Sequence, residues 1–253
     1  MGDYSTVIAL SGKGGVGKTS LSAAIVRILT EEKPDQKILA IDADPAVGLS
    51  VALGIEVKET LDQIRLKVAE DVTEGMQETQ DILAEAKFRI FDAMDESKGF
   101  AFLAIGRPEA AGCYCAINTY LRQVISMIAG EFDYVVIDGE AGIEQINRRV
   151  MEKVTHLLLV TDQSKKGMEI IRTIHDVAKE LVMAEHVGAV QNRVLHPEKI
   201  DYDQIGGIPL VAVIGPDDEL VSHDIDGLST FSLPEDALIL KGAREILKKM
   251  EII

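Results

Sequence analysis

The stretch Ser5-Thr6-Val7-Ile8-Ala9-Leu10-Ser11-Gly12-Lys13-Gly14-Gly15-Val16-Gly17-Lys18-Thr19 decides the fold. Its first half is an apolar run of strand length. Its second half satisfies G-x-x-x-x-G-K-[ST], and "TSLSAAIVRILTEE" continues it with helical character. Strand, glycine-rich turn and helix follow in the order a phosphate-binding loop requires. Glycines let successive backbone N–H groups curve around phosphate oxygens without Cβ clashes. The start of the helix adds partial positive charge. Gly12, Lys13, Gly14, Gly15, Val16, Gly17, Lys18, Thr19 and Ser20 are therefore the expected nucleotide contacts. Lys18 is expected to reach the β- and γ-phosphates of ATP, and the Thr19 hydroxyl to ligate Mg²⁺.

Outward from this loop, strand and helix signals alternate. Strands are expected at 5–11, 37–43, 100–105, 132–138, 156–162, 187–192 and 210–214. Most are continuous apolar runs, the pattern of strands covered on both faces. The expectation is an α/β fold: a doubly wound, mostly parallel sheet of about seven to eight strands with helices on both faces. No linker signal divides residues 1–253, which read as one P-loop domain. The segment at about 58–99 is charge-rich and carries no strand signal. Ile82, Leu83, Ala86, Phe88, Ile90 and Phe91 recur in it at helical spacing, so it reads as two or three inserted helices. The tail after Pro234, "EDALILKGAREILKKMEII", reads as a closing amphipathic helix.

A formal net charge of −16 disfavours nucleic acid, whose phosphates require Lys and Arg, and weakens an anionic-membrane reading. No apolar run is long enough to span a bilayer, and the start lacks a signal-peptide pattern. With two cysteines and no disulfide framework, the chain is expected in the cytoplasm.

Carboxylates stand where nucleotide chemistry needs them. "AIDADPA" ends a strand with Asp42 and Asp44, two residues apart. "YVVIDGEAG" ends another with Asp138, the pattern of a Walker B carboxylate that meets Mg²⁺ through water. Gly139 and Gly142 would give the segment after it its mobility.

Lys13, a second lysine early in "GKGGVGKT", resembles the deviant Walker A motif of the MinD/ParA/nitrogenase-iron-protein class of ATPases. The resemblance implies that Lys13 crosses to a partner's nucleotide in an ATP-dependent homodimer. It also implies that Asp44 orients the attacking water while Asp42 serves Mg²⁺. Lys13, Lys18, Asp44 and Asp138 are then the catalytic set. Asn192, followed by Arg193, matches the class's adenine-reading position, where an amide can donate and accept along the base edge. Pro216 and Asp217 match its loop over the base.

Cys113 and Cys115, in "GCYCAIN", are the chain's only cysteines. In an extended segment residues i and i+2 share a side, so both thiolates can face one ion. A disulfide across one residue would be strained. Two sulfurs leave Zn²⁺ or Ni²⁺ short of ligands, and none of the five histidines is near in sequence. The simplest completion is a second copy of the pair across a two-fold axis. Plain packing of two small apolar residues is the other reading.

Together "GCYCAINTYLR", "DGEAGIEQINRR" and "GKGGVGKT" look like the CooC family, nickel-insertion ATPases for carbon monoxide dehydrogenase. Asp138, Ala141, Gly142, Glu144 and Arg148 match a motif of that family, while Gln145 stands where it usually has His. What the resemblance implies is a cycle. ATP closes the homodimer around a four-thiolate Ni(II) or Zn(II) site, and hydrolysis opens it, releasing nickel to an apo carbon monoxide dehydrogenase or a related Ni–Fe–S enzyme. Acetyl-CoA synthase maturation ATPases share these features. Two further readings are an iron–sulfur carrier ATPase and a MinD-like membrane-positioning ATPase tethered by its terminal helix.

Overall fold

The computed structural model describes residues 5–73, 87–96, 98–106, 123–139, 153–181, 183–200 and 203–253. The strands are β1 (Thr6–Gly12), β2 (Ile38–Asp42), β3 (Ala101–Ala104), β4 (Tyr134–Asp138), β5 (Lys153–Thr161), β6 (Met183–Gln191), β7 (Gln204–Ile205) and β8 (Ile208–Val213). The helices are α1 (Lys18–Glu32), α2 (Gly48–Leu53), α3 (Leu61–Thr73), α4 (87–93), α5 (123–129), α6 (Lys165–Leu181), α7 (Asp218–Asp226) and α8 (Leu238–Lys249).

One sheet runs β3-β2-β4-β1-β5-β6-β8-β7. Every pairing is parallel except β7 with β8. Alternate residues of each strand feed two apolar layers. Val7, Ala9, Leu39, Ile41, Leu157 and Leu159 pack with α3, α5 and α6 on one face. Ile8, Leu10, Ile38, Ala40, Leu158 and Val160 pack with α1 and α8 on the other. Burial on both faces explains why the strands read as continuous apolar runs. A fully buried Ile or Leu contributes about 2–3 kcal/mol, so these two layers dominate the stability of the sheet.

The seven expected strands all form, and the fold is the expected doubly wound sheet. β5 and β6 begin earlier than their apolar runs suggest, because Lys153 and Val154 pair with Met183 and Ala184. The eighth strand, β7, is a two-residue antiparallel edge too short to carry a periodic signal. In the 58–99 insert, α3 and α4 are helical. The expected stripe is narrower than its spacing suggested: Ile90 is buried, but Phe88 is 70% and Phe91 43% exposed. Ile82, Leu83 and Ala86 lie outside the described residues. Asp95 also makes an antiparallel bridge with Phe102, a strand contact the polar sequence around it did not signal.

The tail folds as expected. Ile239, Leu240, Ala243, Ile246 and Leu247 of α8 are buried, and so are Met250 and Ile252 beyond it. Arg27, buried in α1, donates to the Thr230 and Leu233 carbonyls at 2.9 and 2.7 Å, which pins the turn leading to α8. No helix among the described residues is long and apolar enough to cross a membrane.

Candidate functional site

Parallel strands put their carboxyl ends on one edge, and β1, β2, β4 and β5 deliver the motif residues there. The loop from Gly12 to Gly17 joins β1 to α1. Gly12 has φ +144°, and a Cβ on it would lie 2.0 Å from the Val160 carbonyl oxygen, so the loop leaves β1 pressed against β5. Gly17 precedes α1 with φ +86°, and a Cβ there would meet the Asn192 Nδ2 at 2.8 Å. Only glycine satisfies both positions without strain. Around Gly14 and Gly15 nothing stands within 4 Å of where a side chain would begin, which leaves the loop backbone approachable.

Lys18 is buried at the start of α1, and its Nζ donates to the Lys13 carbonyl at 3.1 Å. One turn of α1 then presents two hydroxyls to Asp138. Thr19 Oγ1 donates to Oδ2 at 2.7 Å, and Ser22 Oγ to Oδ1 at 3.0 Å. Asp42 is the register partner of Asp138 on the neighbouring strand. Its carboxylate accepts the Asp44 N–H at 3.1 Å and the Leu49 N–H at 2.8 Å.

Both carboxylates are almost wholly buried. Burial, and next the charge of Asp138, push Asp42 up to about 7 against the lowering effect of its two N–H bonds. Burial pushes Asp138 up to about 6, although the bonds from Thr19 and Ser22 and the charge of Lys18 oppose it. Two acids held side by side with raised pKa values are poised for a cation, and an all-oxygen set with a threonine hydroxyl suits Mg²⁺. Thr19, Asp42 and Asp138 therefore fit that ion.

Asp44 lies just beyond Asp42. Its carboxylate accepts the Ala46 N–H at 2.8 Å, closing a tight turn. Val47 follows with φ +52°, a left-handed conformation that a β-branched residue rarely adopts. Asp44 thus sits on a strained connection between β2 and α2.

Asn192 and Arg193 come from the end of β6 and close on the phosphate loop. Asn192 Nδ2 donates to the Val16 carbonyl at 2.8 Å, and Arg193 Nη1 to the Gly15 carbonyl at 3.1 Å. Asp217, after Pro216, has a structural task that sequence reasoning missed. It accepts the Leu220 N–H at 3.2 Å, capping α7, and the Ile239 N–H at 2.8 Å at the start of α8. Each oxygen of Asp217 thus accepts a backbone N–H at a helix start.

Lys13 is bound to Asp162 by an ion pair, with Ser164 Oγ at 3.5 Å from its Nζ. Burial works to raise the Asp162 pKa, but hydrogen bonds from Lys13 and Ser164 outweigh it and leave the group below the usual carboxylate range. Ser22 and Asp162 hold candidate site residues from outside the site, and sequence reasoning missed both. Ser22 was findable, because it lies one helical turn after Thr19.

Cys113 and Cys115 lie outside the described residues, as do Ala141, Gly142, Glu144, Gln145 and Arg148. The segment carrying the cysteines follows β3, whose continuation at Ile105 donates its N–H to the Asp42 carbonyl at 2.8 Å. No group of three or more His, Cys, Asp and Glu forms a metal cluster among the described residues. A cavity of about 680 Å³, lined by Lys37, Ile38, Phe91, Phe100 and Phe132, lies at the amino ends of β2 and β3 and holds none of the motif residues.

The AAA_31 family model, an AAA domain, matches residues 5–187. The chain is 36% identical over 253 residues to an uncharacterized ATP-binding protein of Methanocaldococcus jannaschii, covering 96% of this chain and 98% of that one. It is 26% identical over 239 residues to the carbon monoxide dehydrogenase accessory protein CooC of Rhodospirillum rubrum, covering 89% of each. Among solved structures, the septum site-determining protein MinD of Pyrococcus horikoshii, complexed with Mg-ADP, superposes with a TM-score of 0.68 at 20% identity. That match covers 98% of this chain and 96% of MinD. The chain is a P-loop ATPase with the MinD-like fold and belongs to the AAA_31 family of AAA domains.

Proposed function

We propose that this ATPase is a metallochaperone that carries Ni(II) on Cys113 and Cys115 and delivers it to an apo carbon monoxide dehydrogenase or a related Ni–Fe–S enzyme. The observation that carries the reading is where the cysteine segment leaves the sheet. It departs from the carboxyl end of β3, one hydrogen bond from Asp42, on the edge that bears the phosphate loop. Movement of Asp42 or of the turn at Asp44 would therefore bear directly on the origin of that segment. The likeness to the CooC accessory protein supports the same reading.

In this scheme Lys18 binds the β- and γ-phosphates, and Asn192, Arg193 and the Pro216–Asp217 backbone hold the adenine end. Thr19, Asp42 and Asp138 hold Mg²⁺, which offsets phosphate charge. Asp44 orients the attacking water. Lys13 reaches the nucleotide of a second copy. Closure of that homodimer joins two cysteine pairs into one four-thiolate site for Ni(II) or Zn(II), so ATP and metal each raise the other's affinity.

A MinD-like membrane role would need a tether, and the apolar stripe of α8 is already packed in the core. The iron–sulfur carrier reading uses the same cysteines and predicts a visible absorption band after anaerobic purification.

The test is metal content per chain with molar mass, measured with and without a non-hydrolysable ATP analogue. One Ni²⁺ or Zn²⁺ per nucleotide-dependent dimer, lost in Cys113→Ser, is the expected result. A dimer that forms without metal would reduce the cysteines to packing and leave the ATPase intact.

A further inference from the structure

Lys13 is held on its own chain by a socket of Val160, Asp162 and Ser164. Its backbone N–H donates to the Val160 carbonyl at 3.1 Å, which fixes the residue over the end of β5. Two residues further on, Asp162 takes its ammonium, and Ser164 Oγ stands 3.5 Å from the same nitrogen. The other Asp162 oxygen accepts the Ser164 N–H at 3.1 Å and its hydroxyl at 2.6 Å. Ser164 Oγ in turn accepts the Gly167 N–H at 3.0 Å, capping α6. Gly167 leaves room for the carboxylate: a Cβ there would lie 2.4 Å from Asp162 Oδ1. Asp162 is thus also held by contacts that do not involve Lys13: the Ser164 N–H and hydroxyl, with room left by Gly167.

The pair is nevertheless open to exchange. The Lys13 and Asp162 side chains are 26% and 32% exposed, so water and a competing anion can reach both. One ammonium cannot stay on Asp162 and also reach a partner's nucleotide. We propose that Asp162, assisted by Ser164, is a positioning residue that latches Lys13 in cis in the single subunit, so that pairing requires Lys13 to exchange this carboxylate for the phosphates of a second copy's nucleotide. The inference rests on the reading that Lys13 acts in trans. A carboxylate carries one charge and a nucleoside triphosphate several, so the exchange runs forward only when the partner is loaded. The latch thereby suppresses pairing of empty subunits.

The size of the effect follows from the exposure of the pair. An ion pair at such a site shifts an equilibrium by about 2- to 5-fold. Two latches open per dimer, so the dimer constant changes by the square, about 4- to 25-fold. The experiment measures the dimer dissociation constant by analytical ultracentrifugation with a non-hydrolysable ATP analogue, for wild type, Asp162→Asn, Ser164→Ala and Lys13→Ala. Asn keeps an acceptor oxygen for the Ser164 N–H, so the cap of α6 survives, and circular dichroism checks the fold. Asp162→Asn is expected to pair about 4- to 25-fold more tightly. Its turnover should reach half-maximum at a lower protein concentration, with the plateau unmoved, a split that a merely structural role would not give. Ser164→Ala should shift pairing the same way by less.

Wild-type or weaker pairing in Asp162→Asn, with pairing lost in Lys13→Ala, overturns the latch and leaves the trans lysine standing. Pairing retained in Lys13→Ala overturns both.

Discussion

Asp42 and Asp138 make the site sensitive to pH before any catalysis is considered. Their pKa values rise from 3.8 to about 7 and about 6. Between those limits the native protein holds protons that the unfolded chain has released. Stability of the metal-free protein therefore falls as pH rises from about 4 to about 7. Thermal melts in chelator at pH 5 and pH 8 should show the lower midpoint at pH 8, and Mg²⁺ should raise that midpoint more at pH 8 than at pH 5. Asp42→Asn should flatten the pH dependence, and an unchanged slope would remove Asp42 from this account. Ser22 offers a finer probe. Its hydroxyl helps to hold the Asp138 pKa down. Ser22→Ala should move the acid limb of the ATPase pH profile upward by about half to one unit.

At the scale of elements, Asp217 joins two helices that the chain separates. Asp217→Ala strips the cap from α7 and leaves the buried Ile239 N–H at the start of α8 without its acceptor. Urea unfolding should show a loss of about 2–4 kcal/mol. Nucleotide affinity, measured where the variant is folded, should change little, because the carboxylate faces helices. The same residue shows what sequence could reveal. The phosphate loop was legible because its chemistry is local: glycines, lysine and threonine within eight positions between a strand and a helix. Asp42 and Asp138 were legible as polar ends of apolar strands. The Asp217 cap on Leu220 is local, but its bond to Ile239 was not legible, since only the fold brings that residue near. Asp162 ends an apolar strand run, and nothing in "HLLLVTD" shows that Lys13 folds back onto it. β7 was too short to register, and Phe88 and Phe91 sat in a helical pattern without turning toward the core.

Over the whole molecule, the two apolar layers tie the tail to the sheet. Leu247 is fully buried on the α8 side. Leu247→Ala should cost about 3 kcal/mol in chemical denaturation. Vesicle co-sedimentation with ATP should leave the wild-type protein in the supernatant, whereas pelleting would restore the membrane-tether reading. The strand order carries a consequence of another kind. β1 is translated first, yet it lies in the middle of the sheet, where Thr6 pairs with Tyr134 and Ile8 with His156. On the ribosome, its apolar residues Val7 to Leu10 wait until Tyr134 and the residues after it are made before either neighbour exists. The Val16 carbonyl waits longer still, for Asn192. Nascent chains stalled soon after Asp138 should not be retained by immobilised ATP, and chains extended beyond β8 should be. Until then β1 is an unpaired apolar strand beside a phosphate loop that has not yet closed.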